Sequence, residues 1–291
     1  GTYPSSGPAL GVDTRGLWGG LLILGNAPCS FSGDVAELQI EGIPTSDVNG
    51  LYGGTNPADD SGSVEYLSIR HGGAEIGEGN EINGLTLGGV GSGTKINHVE
   101  VVANVDDGIE FFGGTVNASN LLVWGQGDDA IDIDQAYAGT IDGAMVILTD
   151  ASDHGFEVDG PEGSAPGSFT LKNVTVIGAT KACSALGVNG EMADFRKAAT
   201  GSLSNILFKD FSGGKDVELD ASADAASYTA GTLTFANIDI IHPVSDGAVC
   251  SSVETLNQIF DDKSDESTFE ADASTFAEVV TAQQAGNGVD S

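Results

Sequence analysis

Three short clusters of chemically capable side chains recur along the chain: Asp106-Asp107, Asp128-Asp129 and Asp153-His154. Two carboxylates beside a histidine are what general acid/base hydrolysis of a glycosidic bond requires, one acid protonating the leaving oxygen and another activating water. Carboxylates gathered near loop carbonyls are equally the ligands of a hard cation such as Ca²⁺. Either chemistry needs the clusters brought together, so the elements that carry them decide the matter.

Each cluster opens the same pattern. The stretches Asp106-Asp107-Gly108-Ile109-Glu110-Phe111, Asp128-Asp129-Ala130-Ile131-Asp132-Ile133 and Asp153-His154-Gly155-Phe156-Glu157-Val158 are acidic turns running into alternating strands. Each follows an apolar strand, at Val99-Glu100-Val101, Leu121-Leu122-Val123 and Met145-Val146-Ile147, and these begin 22 and then 24 residues apart. A fixed period of that size marks stacked coils. The fold class read from it is all-β: a right-handed parallel β-helix, a solenoid.

Stacking places equivalent residues in columns roughly 4.8 Å apart. One column is expected to hold Glu110, Asp132, Glu157, a gap at Gly187, and Glu218; a second holds Asp134, Asp159, Asn189 and Asp220; a third, at the turn, holds Asp107, Asp129 and His154 or Asp153. Because Ile109, Phe111, Ile131, Ile133, Phe156 and Val158 alternate with the acids, the acids are expected on the outward face. Like charges at that spacing repel by about 1 kcal/mol in water and about 3 at a partly screened surface. A hard cation such as Ca²⁺ between rungs would relieve this, and the candidate ligands are Asp107, Asp129, Asp132, Asp134, Glu157 and Asp159. Hydrated carboxylates held apart by turn geometry are the other reading of the same columns.

The remaining chain fits the same scheme. Residues 1–16 read as an irregular lead-in, Leu17 to Gly25 as a strand, and 44–63 as a surface excursion rich in turn formers. Strands follow at Val64 to Ile69 and Ile82 to Gly89; later coils carry Leu171 to Ile177, Leu203 to Phe208 and Leu233 to Ile241, with second strands at Leu186 to Asn189 and Val217 to Asp220. Periodicity stops beyond Cys250, and Ser274 to Val280 reads as a short C-terminal helical cap. The domain reading is a β-helix over 1–250, with 251–291 as cap or extension.

Composition bounds the partners. With 10 Lys plus Arg against 43 Asp plus Glu, the net charge of −33 repels nucleic acid and anionic lipid. So large a surplus fits a high-salt setting or bound divalent cations. No apolar run reaches transmembrane length, and Gly1-Thr2-Tyr3-Pro4 is not a signal peptide, so the chain reads as a mature or trimmed product. Cys29, Cys183 and Cys250 leave either a Cys183–Cys250 disulfide or three free thiols. His71, His98 and His242 lack partners at zinc-ligand spacing, and Trp18 and Trp124 read as packed strand residues.

Two resemblances attach to these residues. Asn104-Val105-Asp106, Asp128-Asp129 and His154-Gly155 on successive coils resemble the motif order of polygalacturonase-type glycoside hydrolases, which implies catalytic roles for Asp106, Asp128 and Asp129 with His154 assisting. The chain departs from that pattern by an inserted Asp107 and by lacking an Arg-x-Lys motif, the nearest basic pair being Arg196-Lys197 in an apparent loop. A longer resemblance rests on Leu17-Trp18-Gly19-Gly20-Leu21-Leu22-Ile23-Leu24-Gly25, Tyr52-Gly53-Gly54, Ile82-Asn83-Gly84-Leu85-Thr86-Leu87-Gly88-Gly89 and Asp106-Asp107-Gly108-Ile109-Glu110-Phe111-Phe112-Gly113-Gly114. These resemble secreted bacterial cell-surface proteins with a pectin-lyase-like β-helix, over roughly residues 15–210. That resemblance implies export to the outer surface and no catalytic assignment. The expectation is therefore a secreted, non-catalytic structural, adhesive or assembly component, with self-assembly through the solenoid ends, a possible surface glycan, no nucleic acid and no membrane span. The alternative is a carbohydrate-active β-helix using Asp106, Asp128, Asp129 and His154.

Overall fold

The computed structural model describes residues 10–74, 82–179, 191–211 and 217–241, together with the backbone of the short strands Val244–Ser245, Ala248–Val249, Phe260–Asp262 and Phe276–Val279. Two eight-stranded sheets, parallel throughout, form the walls of a β-helix. Sheet one stacks Leu21–Leu24, Leu85–Gly88, Ile109–Phe112, Ile131–Asp134, His154–Asp159, Glu191–Arg196, Val217–Leu219 and Phe260–Asp262. Sheet two stacks Ser63–Arg70, Lys95–Val102, Asn117–Trp124, Thr140–Ile147, Phe169–Ile177, Gly201–Lys209, Leu233–Ile241 and Phe276–Val279.

The registers confirm the expected rungs. Ile109 lies beside Ile131 and Ile131 beside Phe156, and all three are completely buried between the sheets. Small residues stand just before the sheet-one strands because the facing sheet leaves no room: a Cβ on Gly108 would come within 2.3 Å of Val123 Cγ1. The glycine of the Asp-Asp-Gly motif is thus fixed by this close approach.

Sheet two bends at one residue per strand. Tyr66, His98, Asn120, Asn173, Asn205 and Asn237 have φ between 52° and 59° there, and Gly143 takes the same place. Asparagine tolerates this left-handed corner and also bridges coils. Asn205 Nδ2 donates to Asn173 Oδ1 at 2.9 Å and Asn237 Nδ2 to Asn205 Oδ1 at 3.1 Å. Asn173, part of a glycosylation-like tripeptide, belongs to this ladder.

Several expectations need correction. Within the stretch Ser274 to Val280 read as a helix, Phe276–Val279 is a strand that joins the edge of sheet two in register with Leu233–Ile241, so pairing of the edge overrides local helix preference. Both sheets therefore extend past residue 250, and the α-helix among the described residues is Ser222–Thr229, inside the turn between Val217–Leu219 and Leu233–Ile241. Residues 186–189 lie outside the described residues; the rung assigned to them is filled by Glu191–Arg196. The excursion begins at residue 25, and its hairpin strands Leu38–Gln39 and Leu51–Tyr52 fold back on sheet one. There Phe31, Ile40, Tyr52 and Phe112 bury one another in a second, smaller apolar cluster. Trp18 and Trp124 are partly exposed rather than packed, since both project from outer faces.

Candidate functional site

The acids sit on the outer face of sheet one. Register gives one continuous column: Thr86, Glu110, Asp132, Glu157, Asp194, Glu218 and Asp261. Asp194 occupies the rung where a gap at Gly187 was expected, because Met192-Ala193-Asp194-Phe195 carries the alternation that 186–189 was thought to supply. Outward does not mean exposed: Glu110, Asp132, Asp194 and Glu218 are all buried. Backbone hydrogen bonds run the excursion across the rungs, from Ala27 to Gly89, Ser30 to Gln135 and Glu162 to Ser30, so distant sequence covers part of this face.

The turn column is a set of clamps. Asp107 Oδ1 accepts the Asp129 backbone N–H at 2.9 Å, and Asp129 Oδ1 accepts that of His154 at 2.7 Å. The same Asp129 oxygen lies 2.8 Å from His154 Nδ1. Asp107, Asp129 and His154 are buried, while Asp128 and Asp153 are exposed and Asp106 half-buried. Asn104 holds the first turn by donating from Nδ2 to the carbonyls of Ile82 and Asp107, both at 2.9 Å. Burial works against a charged His154, but the hydrogen bond and charge of Asp129 outweigh it and raise its pKa to about 9. Burial, then the charges of Asp129 and Asp153, push Asp128 up to about 6.

Arg196 and Lys197 are not a free loop. Arg196 ends a sheet-one strand in register with Asp159, the place expected for Asn189. Arg196 Nε lies 2.6 Å from Asp159 Oδ1 and its Nη2 against Glu157, while Lys197 Nζ lies 2.6 Å from Asp159 Oδ2. Burial opposes the charge on Asp159, and the two cations overcome it and hold its pKa below the usual carboxylate range. Glu157 goes the other way, up to about 8, since burial and then Asp129 exceed the help of Arg196. Burial and then Asp159 raise Asp134 to about 7.

The six expected cation ligands therefore separate. Asp107 and Asp132 come together with Glu110, with one carboxylate oxygen from each within 4.8 Å of the others. Asp129 is engaged by His154, Glu157 and Asp159 by Arg196, and Asp134 by Asp159. The four residues of the hydrolase alternative divide likewise: Asp106 and Asp128 share a partly open cluster with Asp107, whereas Asp129 and His154 are enclosed. Sequence reasoning missed Asn83, whose Nδ2 donates to Glu110, and Glu191, whose carboxylate lies 3.8 Å from His154 Nε2. The Asn83 signal was its place one residue before Gly84, the counterpart of Asp107 before Gly108; Glu191 had none.

Compared with known protein families, residues 9–291 match the model described as a pectate-lyase-like β-helix domain. Neither a curated protein nor a solved structure matches the chain.

Proposed function

From the premise that the chain belongs to the pectate-lyase-like β-helix domain family, we propose that it is a secreted, non-catalytic cell-surface scaffold, with cations closing part of its acid ladder. The observation that carries this reading is the engagement of Asp107 and Asp129 with the backbone of the following rung. A carboxylate oxygen that accepts a buried N–H holds the stack together and is not available to a substrate. The net charge of −33 supports a setting rich in salt or divalent ions. Among the described residues no helix is long and apolar enough to cross a membrane.

End-to-end assembly is part of the reading. Leu21, Ile23, Val64 and Leu67 point into the core from the first rung yet are only partly buried, whereas Leu85, Leu87, Ile96 and Val99 in the next rung are buried. Among the described residues no strand pairs with the outer edges of Leu21–Leu24 and Ser63–Arg70, so this rung offers apolar side chains and strand edges on which a second copy would stack.

A carbohydrate-active role is the second reading, favoured by Asp106 and Asp128, whose carboxylates approach within 4.8 Å at the partly open end of the turn column. A hydrolase of this kind needs two carboxyl groups flanking the scissile bond. The deciding experiment incubates the purified chain and Asp128→Asn with a panel of neutral, acidic and sulfated polysaccharides and follows reducing ends. The scaffold reading expects no turnover by either protein. Turnover by the wild-type chain that disappears in Asp128→Asn would replace it with the hydrolase.

A further inference from the structure

Three acid clusters adjoin one another on sheet one, and only one of them is both enclosed and unmatched. The group of Asp129, Asp153 and His154 already holds an imidazole against its carboxylate, and the group of Asp106, Asp107 and Asp128 opens to solvent. Asp107, Glu110 and Asp132 are 6%, 5% and 7% exposed, and one oxygen from each lies within 4.8 Å of the other two. At that limit an ion centred between the three oxygens would lie about 2.8 Å from each, so a small inward shift of the side chains reaches the roughly 2.3–2.6 Å of calcium–oxygen bonds.

Two buried oxygens on these residues and their neighbour lack a donor. Asp132 Oδ1 is buried and has no hydrogen-bond partner. Asn83, 1% exposed, lays its amide against Glu110 through Nδ2, and its Oδ1, on the same amide, is buried and equally without a partner. A buried oxygen with no donor is costly unless something positive occupies its lone pairs. The protein's own cations go elsewhere: Arg196 contacts Glu157 and Asp159, and Lys197 contacts Asp159.

We propose that Asp107, Glu110 and Asp132 bind one hard divalent cation of calcium type as a structural ion. The donors are all oxygen, which selects a hard cation over zinc or copper. The enclosure leaves the ion bound by protein rather than shared with a polysaccharide. The inference rests on the cation-closed scaffold reading and narrows it to one rung pair.

The test strips the full chain with chelator and titrates it with CaCl₂ against KCl of matched ionic strength, reading heat and melting temperature. Wild type is expected to bind one Ca²⁺ saturably with a rise in melting temperature. Glu110→Gln and Asp132→Asn should each weaken that binding at least tenfold. Both variants remove a buried repulsion, so in chelator they should melt no lower than wild type, which keeps a folding failure from imitating a lost site. Asp153→Asn and Asp106→Asn change the net charge equally and should bind as wild type does. Saturable binding that survives Glu110→Gln and Asp132→Asn but disappears in Asp106→Asn or Asp153→Asn overturns this site and leaves the scaffold reading standing. No saturable binding by wild type overturns both.

Discussion

Asp129→Asn removes the charge at the centre of the turn column while nearly preserving its shape. In the native chain Asp129 Oδ1 serves both the backbone N–H and the Nδ1 of His154, at 2.7 and 2.8 Å. With this partner His154 titrates at about 9 in place of 6.5. At 1.36 kcal/mol per unit, the rise stabilises the fold by on the order of 3 kcal/mol. Because the folded value lies above the unfolded one, this contribution is complete below about pH 6.5 and is lost as pH climbs through about 9. In Asp129→Asn the largest attraction is lost while burial and the weaker pulls of Asp153 and Asp194 remain, so the imidazole titrates well below about 9. The variant should then be up to about 3 kcal/mol less stable near pH 6. The deficit should vanish or reverse near pH 10, since the Asp129 charge also pushes up Asp107, Asp128 and Glu157 and the amide relieves all three. Urea unfolding at about pH 6, 8 and 10 measures the difference, with the imidazole followed by NMR and assigned through His154→Gln. An equal deficit at the lowest and highest pH would refute the reasoning.

Two more outcomes follow from the same geometry. Asn205→Ala should lower stability by about 1–2 kcal/mol by urea unfolding, since it removes two ladder hydrogen bonds at an exposed corner and places alanine at φ 56°, whereas Asn205→Gly should lose less because glycine accepts that angle. The chelator-treated chain should melt progressively lower as pH rises from about 4 to about 8: Asp128, Asp134 and Glu157 have folded pKa values of about 6, 7 and 8, each above the unfolded value, so the folded state holds more protons and loses stability as they leave. A melting temperature that rises across that interval would contradict the burial of these carboxyls.

The coils were legible because two periods agree. Alternation of Ile109-Glu110-Phe111 with Ile131-Asp132-Ile133 and Phe156-Glu157-Val158 fixes which side faces the core, and the regular spacing fixes which residues share a rung. The next rung was misplaced because the connection before it is longer: Leu186 to Asn189 fits the alternation, and Ala193 to Arg196, seven residues on, carries the same alternation in register. The corner asparagines were visible as residues, but their shared left-handed angle is a property of stacked backbones and is invisible in any one strand. Burial of the acid face was not legible at all. Its partial cover comes from residues 26–54, which lie 50 or more positions before the acids they enclose. Phe276–Val279 was read as helix because local preference is silent about an open sheet edge nearby.

The ladder offsets its repulsion by unequal means along its length. Toward the C-terminal rungs the protein supplies its own cations, Arg196 and Lys197, against Glu157 and Asp159. In the turn column, backbone N–H groups and the His154 imidazole take that part. At Asp107, Glu110 and Asp132 neither remedy is complete: Asp107 receives one backbone donor, Glu110 one amide, and Asp132 Oδ1 none. The other basic residues paired with acids among those described, Arg70, Lys95, Lys172 and Lys209, are spent on sheet two and its turns, against Glu100, Glu65, Asp142 and Asp210. Where a chain places its few cations therefore marks the rungs it can close alone. The rung pair it leaves without one is where ionic conditions outside the protein would set stability, which makes divalent concentration the variable that separates a rigid stack from one softened at its centre.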